Sequence, residues 1–125
     1  MNMVRKNLGM GLDILLSAAG TPAARAAENA LLTRARSIYD LALKEDEMGN
    51  AWEAYHHYRQ VIDLFGNPQT ASAEARALIS QALNNAAVIL FENNHPEAAR
   101  CLLERAVAVC PENATARANL GMIRS

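Results

Sequence analysis

Asn84–Asn113, NNAAVILFENNHPEAARCLLERAVAVCPEN, decides the fold. Apolar residues recur at spacings of three and four on both sides of the Asn93-Asn94-His95-Pro96 break. That is the period of an α-helix with one buried face. The break stops the first helix, and Pro96 opens the second, because proline is tolerated only in a helix's first turn. Pro111 ends it. The stretch reads as two helices of similar length joined by a tight corner.

Reading outward, the same grammar repeats. Thr21-Pro22 supplies a capping hydroxyl and a first-turn proline, and a helical period then runs through Leu31, Leu32, Ile38, Leu41 and Ala42 to Met48-Gly49-Asn50. A second helix is expected from about Ala51 to Phe65, with Ala54, Tyr58, Val61 and Ile62 on one face, closed by Gly66-Asn67-Pro68. A third starts near Thr70 to Ser72 and runs to Asn93. A fourth covers Pro96 to Val109, and a fifth begins near Asn113. Alanine fills 25 of 125 positions and strand-type alternation is absent, so the fold class is all-α. The chain has room for one compact domain, residues 21–125, preceded by an N-terminal segment, residues 1–20.

The two corners introduce matching sets. Ala54-x3-Tyr58-x2-Val61 recurs as Ala99-x3-Leu103-x2-Ala106, 45 residues later. In the helices before them, Ile38-x2-Leu41-Ala42 recurs as Leu83-x2-Ala86-Ala87 and then as Arg117-x2-Leu120-Gly121. From about residue 35 to 125 the chain resembles the tetratricopeptide repeat, a stacked helical hairpin of 34 residues. The resemblance implies an α-solenoid of two hairpins plus a terminal helix. Two departures stand out: Glu45 occupies a place where the pattern has a large apolar residue, and Gly66 one where it has proline. Eleven residues beyond the usual repeat, Gln69 to Ile79, should lengthen the third helix at its start, giving both hairpins long first helices.

Aligning the first helices exposes a second stripe beside the core: Arg36, Tyr39, Leu43 and Asp46, then Gln81, Asn84, Val88 and Phe91, then Thr115, Ala118 and Met122. The tetratricopeptide resemblance implies a partner-binding groove on this face, with Tyr39 and Phe91 as aromatic anchors. Packing of the same residues under an N-terminal helix, or against a second copy in a homodimer, remains the alternative. Asn85 alone matches the basic and asparagine clamp by which some family members hold acidic tails, so such a clamp is not expected.

Arg5–Ala18, RKNLGMGLDILLSA, resembles the start of ParB-type proteins, which engage a ParA- or MinD-type ATPase. That resemblance implies an activating charge at Arg5 or Lys6, a docking face of Leu8, Leu12, Leu15 and Leu16, and a turn at Gly9 and Gly11. The other reading is an amphipathic helix capping the first hairpin, since an open solenoid end leaves apolar surface to cover. Asp13 and the two glycines interrupt the segment and argue against a secretory signal.

Catalytic signatures are missing: no Gly-rich phosphate loop, no G-x-S-x-G and no H-E-x-x-H. His56 and His57 point about 100° apart on a helix and do not share one metal. Glu53 and His57, four apart, are placed to pair. His95 is expected to cap a helix, and Glu45-Asp46-Glu47 to form a solvated acidic corner. Twelve basic against thirteen acidic residues, unblocked, give no nucleic-acid footprint, and no apolar run is long enough for a membrane span. Cys101 and Cys110 lie about 13 Å apart on one helix, too far for a disulfide, and read as buried free thiols in a reducing cytoplasm. The expectation is therefore a cytoplasmic protein-interaction module, not an enzyme, without cofactor or metal.

Overall fold

Among the described residues, every break marked by proline or glycine in the sequence falls at a helix boundary. The computed structural model describes residues 21–124, which form five α-helices and one 3-10 turn, with no strand among them. The helices are α1 (Pro22–Glu47), α2 (Ala51–Leu64), α3 (Ala73–Glu92), α4 (Pro96–Val109) and α5 (Ala114–Arg124). The all-α class read from composition is thus what the described residues adopt. Arg5, Lys6, Leu8, Leu12 and Leu15, and with them the docking or capping role of their segment, lie outside the described residues.

The chain divides into two units, Met1–Thr33 and Arg34–Ser125. Of the first, residues 21–33 are described. The Thr21 hydroxyl caps them by accepting from the Ala24 amide at 3.1 Å.

In the second unit, the α1–α2 and α3–α4 corners are built from the same bonds. After α1, the Asn50 amide reaches back to the Glu45 carbonyl and the Gly49 amide to that of Asp46. After α3, the His95 amide reaches Leu90 and the Asn94 amide Phe91. Each pair is a Schellman closure, which requires a left-handed residue at the same place. Gly49 meets that need at φ 85°, and Asn94, 45 residues later, at φ 68°. Glycine and asparagine are the residues that take this conformation most readily.

The burial pattern repeats with the corners. Ala54, Tyr58 and Val61 on α2 are buried, as are Ala99, Leu103 and Ala106 on α4; Ala42 and Ala87 are buried on the first helices. Alanine at these places brings helix backbones close, and the larger residues fill what remains. The first helices also outrun the second ones, with 26 and 20 residues against 14 and 14.

Four expectations change. Gln69–Ser72 do not extend α3: the Asn67 side chain accepts from the Gln69 amide and Pro68–Thr70 close a 3-10 turn. The Ser72 hydroxyl then caps α3 by accepting from the Ala75 amide at 3.1 Å. Leu41 is exposed although its counterpart Ala86 is buried, because α3 is flanked by α2 on one side and α4 and α5 on the other. Cys101 is exposed and Cys110 half-buried, so neither thiol is a core residue; at about 100° per residue Cys101 lies nearly opposite the arc set by Ala99, Leu102 and Leu103. His95 stands at the N-cap of α4 without a side-chain capping bond, its ring instead lying 6.3 Å from that of Trp52.

Candidate functional site

The central helix α3 carries a polar line through an otherwise apolar interior. Ser80 is buried; its hydroxyl donates to the Ala106 carbonyl at 2.7 Å and accepts from the Asn113 amide group at 2.9 Å. One turn on, Asn84 accepts from Asn119 Nδ2 at 2.9 Å and donates to Asn85 Oδ1 at 3.2 Å. Asn85 Nδ2 donates to the Tyr39 hydroxyl at 3.0 Å and the Tyr58 hydroxyl at 3.3 Å. These bonds satisfy groups whose burial would otherwise cost about 1–3 kcal/mol each.

The bonds form a ladder. Asn85 on α3 reaches Tyr39 on α1, and Asn119 on α5 reaches Asn84 on α3. Asn119 follows Asn85 by 34 residues, and Asn84 follows Tyr39 by 45, the offsets seen in the sequence. Each successive first helix therefore holds its predecessor through the same asparagine.

Burial raises the Tyr58 hydroxyl's pKa well above the ordinary 10.0, and the Asp46 carboxylate adds to the shift. Burial likewise raises Tyr39. Both remain neutral hydrogen-bonding groups at physiological pH. Their rings lie 5.6 Å apart, tilted.

This accounts for Tyr39, expected as an anchor: its ring packs on Tyr58 and its hydroxyl is engaged by Asn85. Asn84 is buried and engaged too. Arg36 is tied to Glu74 at 2.6 Å. Leu43 is half-buried, while Gln81 is exposed. The acidic corner is also in use. His57 Nδ1 pairs with Glu45, not with Glu53, and Asp46 accepts from Tyr58 at 3.3 Å. The Glu45 carboxylate is thus met by a histidine facing it from α2.

Val88 and Phe91 do converge with Met122, on an open groove of about 360 Å³. Ala87 and Glu92 from α3, Leu103 from α4, and Asn119 and Ile123 from α5 complete its lining. Phe91 is 53% exposed and Met122 71%, large apolar side chains left in water around a shared hollow. The expected stripe thus splits in two, a bonded half at α1 and an open half where α3 meets α5. Sequence reasoning missed Glu92, Asn119 and Ile123, and assigned Leu103 to the core alone. Asn119 was within reach of the alignment, since it falls opposite Asn85.

Among the described residues no three His, Cys, Asp or Glu side chains gather to hold a metal, and no helix is long and apolar enough to cross a membrane. Comparison with protein-family models, with curated proteins and with solved structures returns no match for this chain.

Proposed function

We propose that the chain is a non-catalytic interaction module of tetratricopeptide type, which captures a partner protein on the groove between α3 and α5. The observation that carries this reading is the exposure of Phe91 and Met122 around an apolar hollow. Large rigid apolar side chains set in a concavity supply most of the affinity at protein interfaces. The stacked arrangement is supported by the corners that repeat after 45 residues and by the asparagine ladder, which hold the first helices side by side. In such a stack the first helices line one face, and that is where the groove lies. Tyr39 and Asn85 act there as struts, and capture falls to Val88, Phe91 and Met122.

The test compares the full chain with a Phe91→Ala/Met122→Ala variant in affinity capture from the native organism. Helical content and thermal midpoint should be unchanged, since both side chains are exposed, while the specific partner disappears. Equal recovery of every captured protein by the two chains would refute the proposal.

A further inference from the structure

Beside the apolar hollow, the face between α3 and α5 keeps hydrogen-bonding capacity that the fold does not consume. Asn119 lines the hollow and gives one amide hydrogen to Asn84 at 2.9 Å. Its second amide hydrogen and its carbonyl oxygen have no partner among the described residues. Thr115, one turn earlier on the same face of α5, is exposed, as is its counterpart on α3, Gln81. Neither side chain has a partner among the described residues. The bond to Asn84 holds the Asn119 carboxamide in place before anything docks.

These groups choose between two kinds of occupant. A helix spends its own amides and carbonyls internally. Laid over Asn119, it would strip water from the free hydrogen and oxygen, and its backbone would return nothing. Buried polar groups left unpaired are the costly case. An extended segment has the opposite need. The N–H and C=O of one of its residues point to the same side, and both require partners when water is displaced. One carboxamide with a hydrogen and an oxygen to spare supplies both.

The spacing agrees. Thr115 and Asn119 are four residues apart, a rise of about 6 Å along α5. An extended chain turns the same edge to the same side about every 6.6 Å. Met122, on the rim of the hollow, lies about 5 Å beyond Asn119, within two residues of such a chain.

Resting on the reading of this groove as a docking site, we infer that its occupant is an extended segment of a partner protein, held at one residue's backbone by the Asn119 carboxamide. One large apolar side chain of that segment, within two residues of the bonded one, enters among Val88, Phe91 and Met122. Thr115 and Gln81 meet the next backbone edge along the segment.

The test is a selection from a displayed library holding both extended and helix-forming peptides. The immobilised full chain is the target and its Phe91→Ala/Met122→Ala variant the counter-target. The expected winners share one large apolar residue, lack helical spacing and tolerate a proline within three residues of it. Replacing the backbone amides of a winner one at a time by esters should weaken binding about tenfold at a single position near that residue. The same ester should cost an Asn119→Ala chain nothing further, which separates a lost backbone bond from any loosening of the ladder. Winners with apolar residues at helical spacing, which a central proline destroys, would overturn the inference and leave the docking site standing. So would a winner in which no single ester matters, or one whose ester acts equally on both chains. No enrichment that depends on Phe91 and Met122 would overturn both. A dimer in light scattering that is lost in the double variant would give the groove to a second copy, again overturning the extended segment.

Discussion

The Glu45–His57 pair offers a direct test of the 45-residue equivalence. Shifted by that interval, the two positions become Leu90 and Leu102, which are 8% and 6% exposed. One hairpin thus fills with a hydrogen-bonded Glu–His pair the place that the other fills with two leucines. The Glu45 side chain is 16% exposed and that of His57 30%, so the pair is mostly but not fully out of water. Replacing His57 by Leu leaves the Glu45 carboxylate without its partner, a cost of about 2 kcal/mol that the new leucine's burial offsets by about 1. Replacing both removes the charge and its desolvation, and buries two leucines in a site shaped like their counterparts'. That variant should be about 1 kcal/mol more stable than the natural chain, and about 2 above His57→Leu. The gap corresponds to roughly 10 °C in thermal midpoint. Urea unfolding of the four members of the cycle gives the free energies, with constant slope as the check that the compactness of the states is unchanged. If Glu45→Leu/His57→Leu unfolds no later than His57→Leu, the two corners are not copies of one geometry.

Two other perturbations probe the frame. Gly49→Ala should cost about 1 kcal/mol in urea unfolding because φ is 85° there, whereas Asn94→Gly, at a φ of 68°, should change stability by only a few tenths. Alkali should unfold the protein in a defined window. Tyr58 and Tyr39 have raised folded-state values, so their contribution is complete below the ordinary 10.0 and declines as pH climbs from there towards the folded values. Each loses about 1.4 kcal/mol per pH unit in that window. Tyr58→Phe should remove its share of the slope, and an unchanged slope would show that burial is not what holds Tyr58 neutral.

The helices and corners were legible because their signals are local. A proline in a first turn, a glycine or asparagine at a left-handed position and an apolar arc each act within a few residues. Ala54 and Ala99 also reported where backbones approach, since small residues at matched places have few other uses. The tie between Glu45 and His57 was not legible. Within the first hairpin alone, Glu45 looks like a departure and His57 like a solvated residue; only superposition on Leu90 and Leu102 makes them one feature. The site was half legible for the same reason. Val88, Phe91 and Met122 share a stripe by spacing, but whether Tyr39 is an anchor or a strut depends on Asn85, far along the chain. Polarity did not betray Ser80 and Asn84 as interior residues, because their partners come from α4 and α5.

The ladder also explains why the open surface sits where it does. At the α1–α3 step, Tyr39 receives Asn85, and its ring covers Tyr58, so the aromatic and carboxamide groups consume one another. At the α3–α5 step the counterpart of Tyr39 is Asn84, which accepts the same bond from Asn119 with a much smaller side chain. Further along α3, Phe91 stands where α1 has Asp46, and Phe91 lines the hollow while Asn84 does not. The open surface therefore follows from an exchange of a carboxylate for an aromatic ring: Asp46 is tied to the Tyr58 hydroxyl, whereas Phe91 stands 53% exposed. Phe91→Asp, which restores the residue of the first step, should abolish capture of a partner, where truncating Val88 only weakens it.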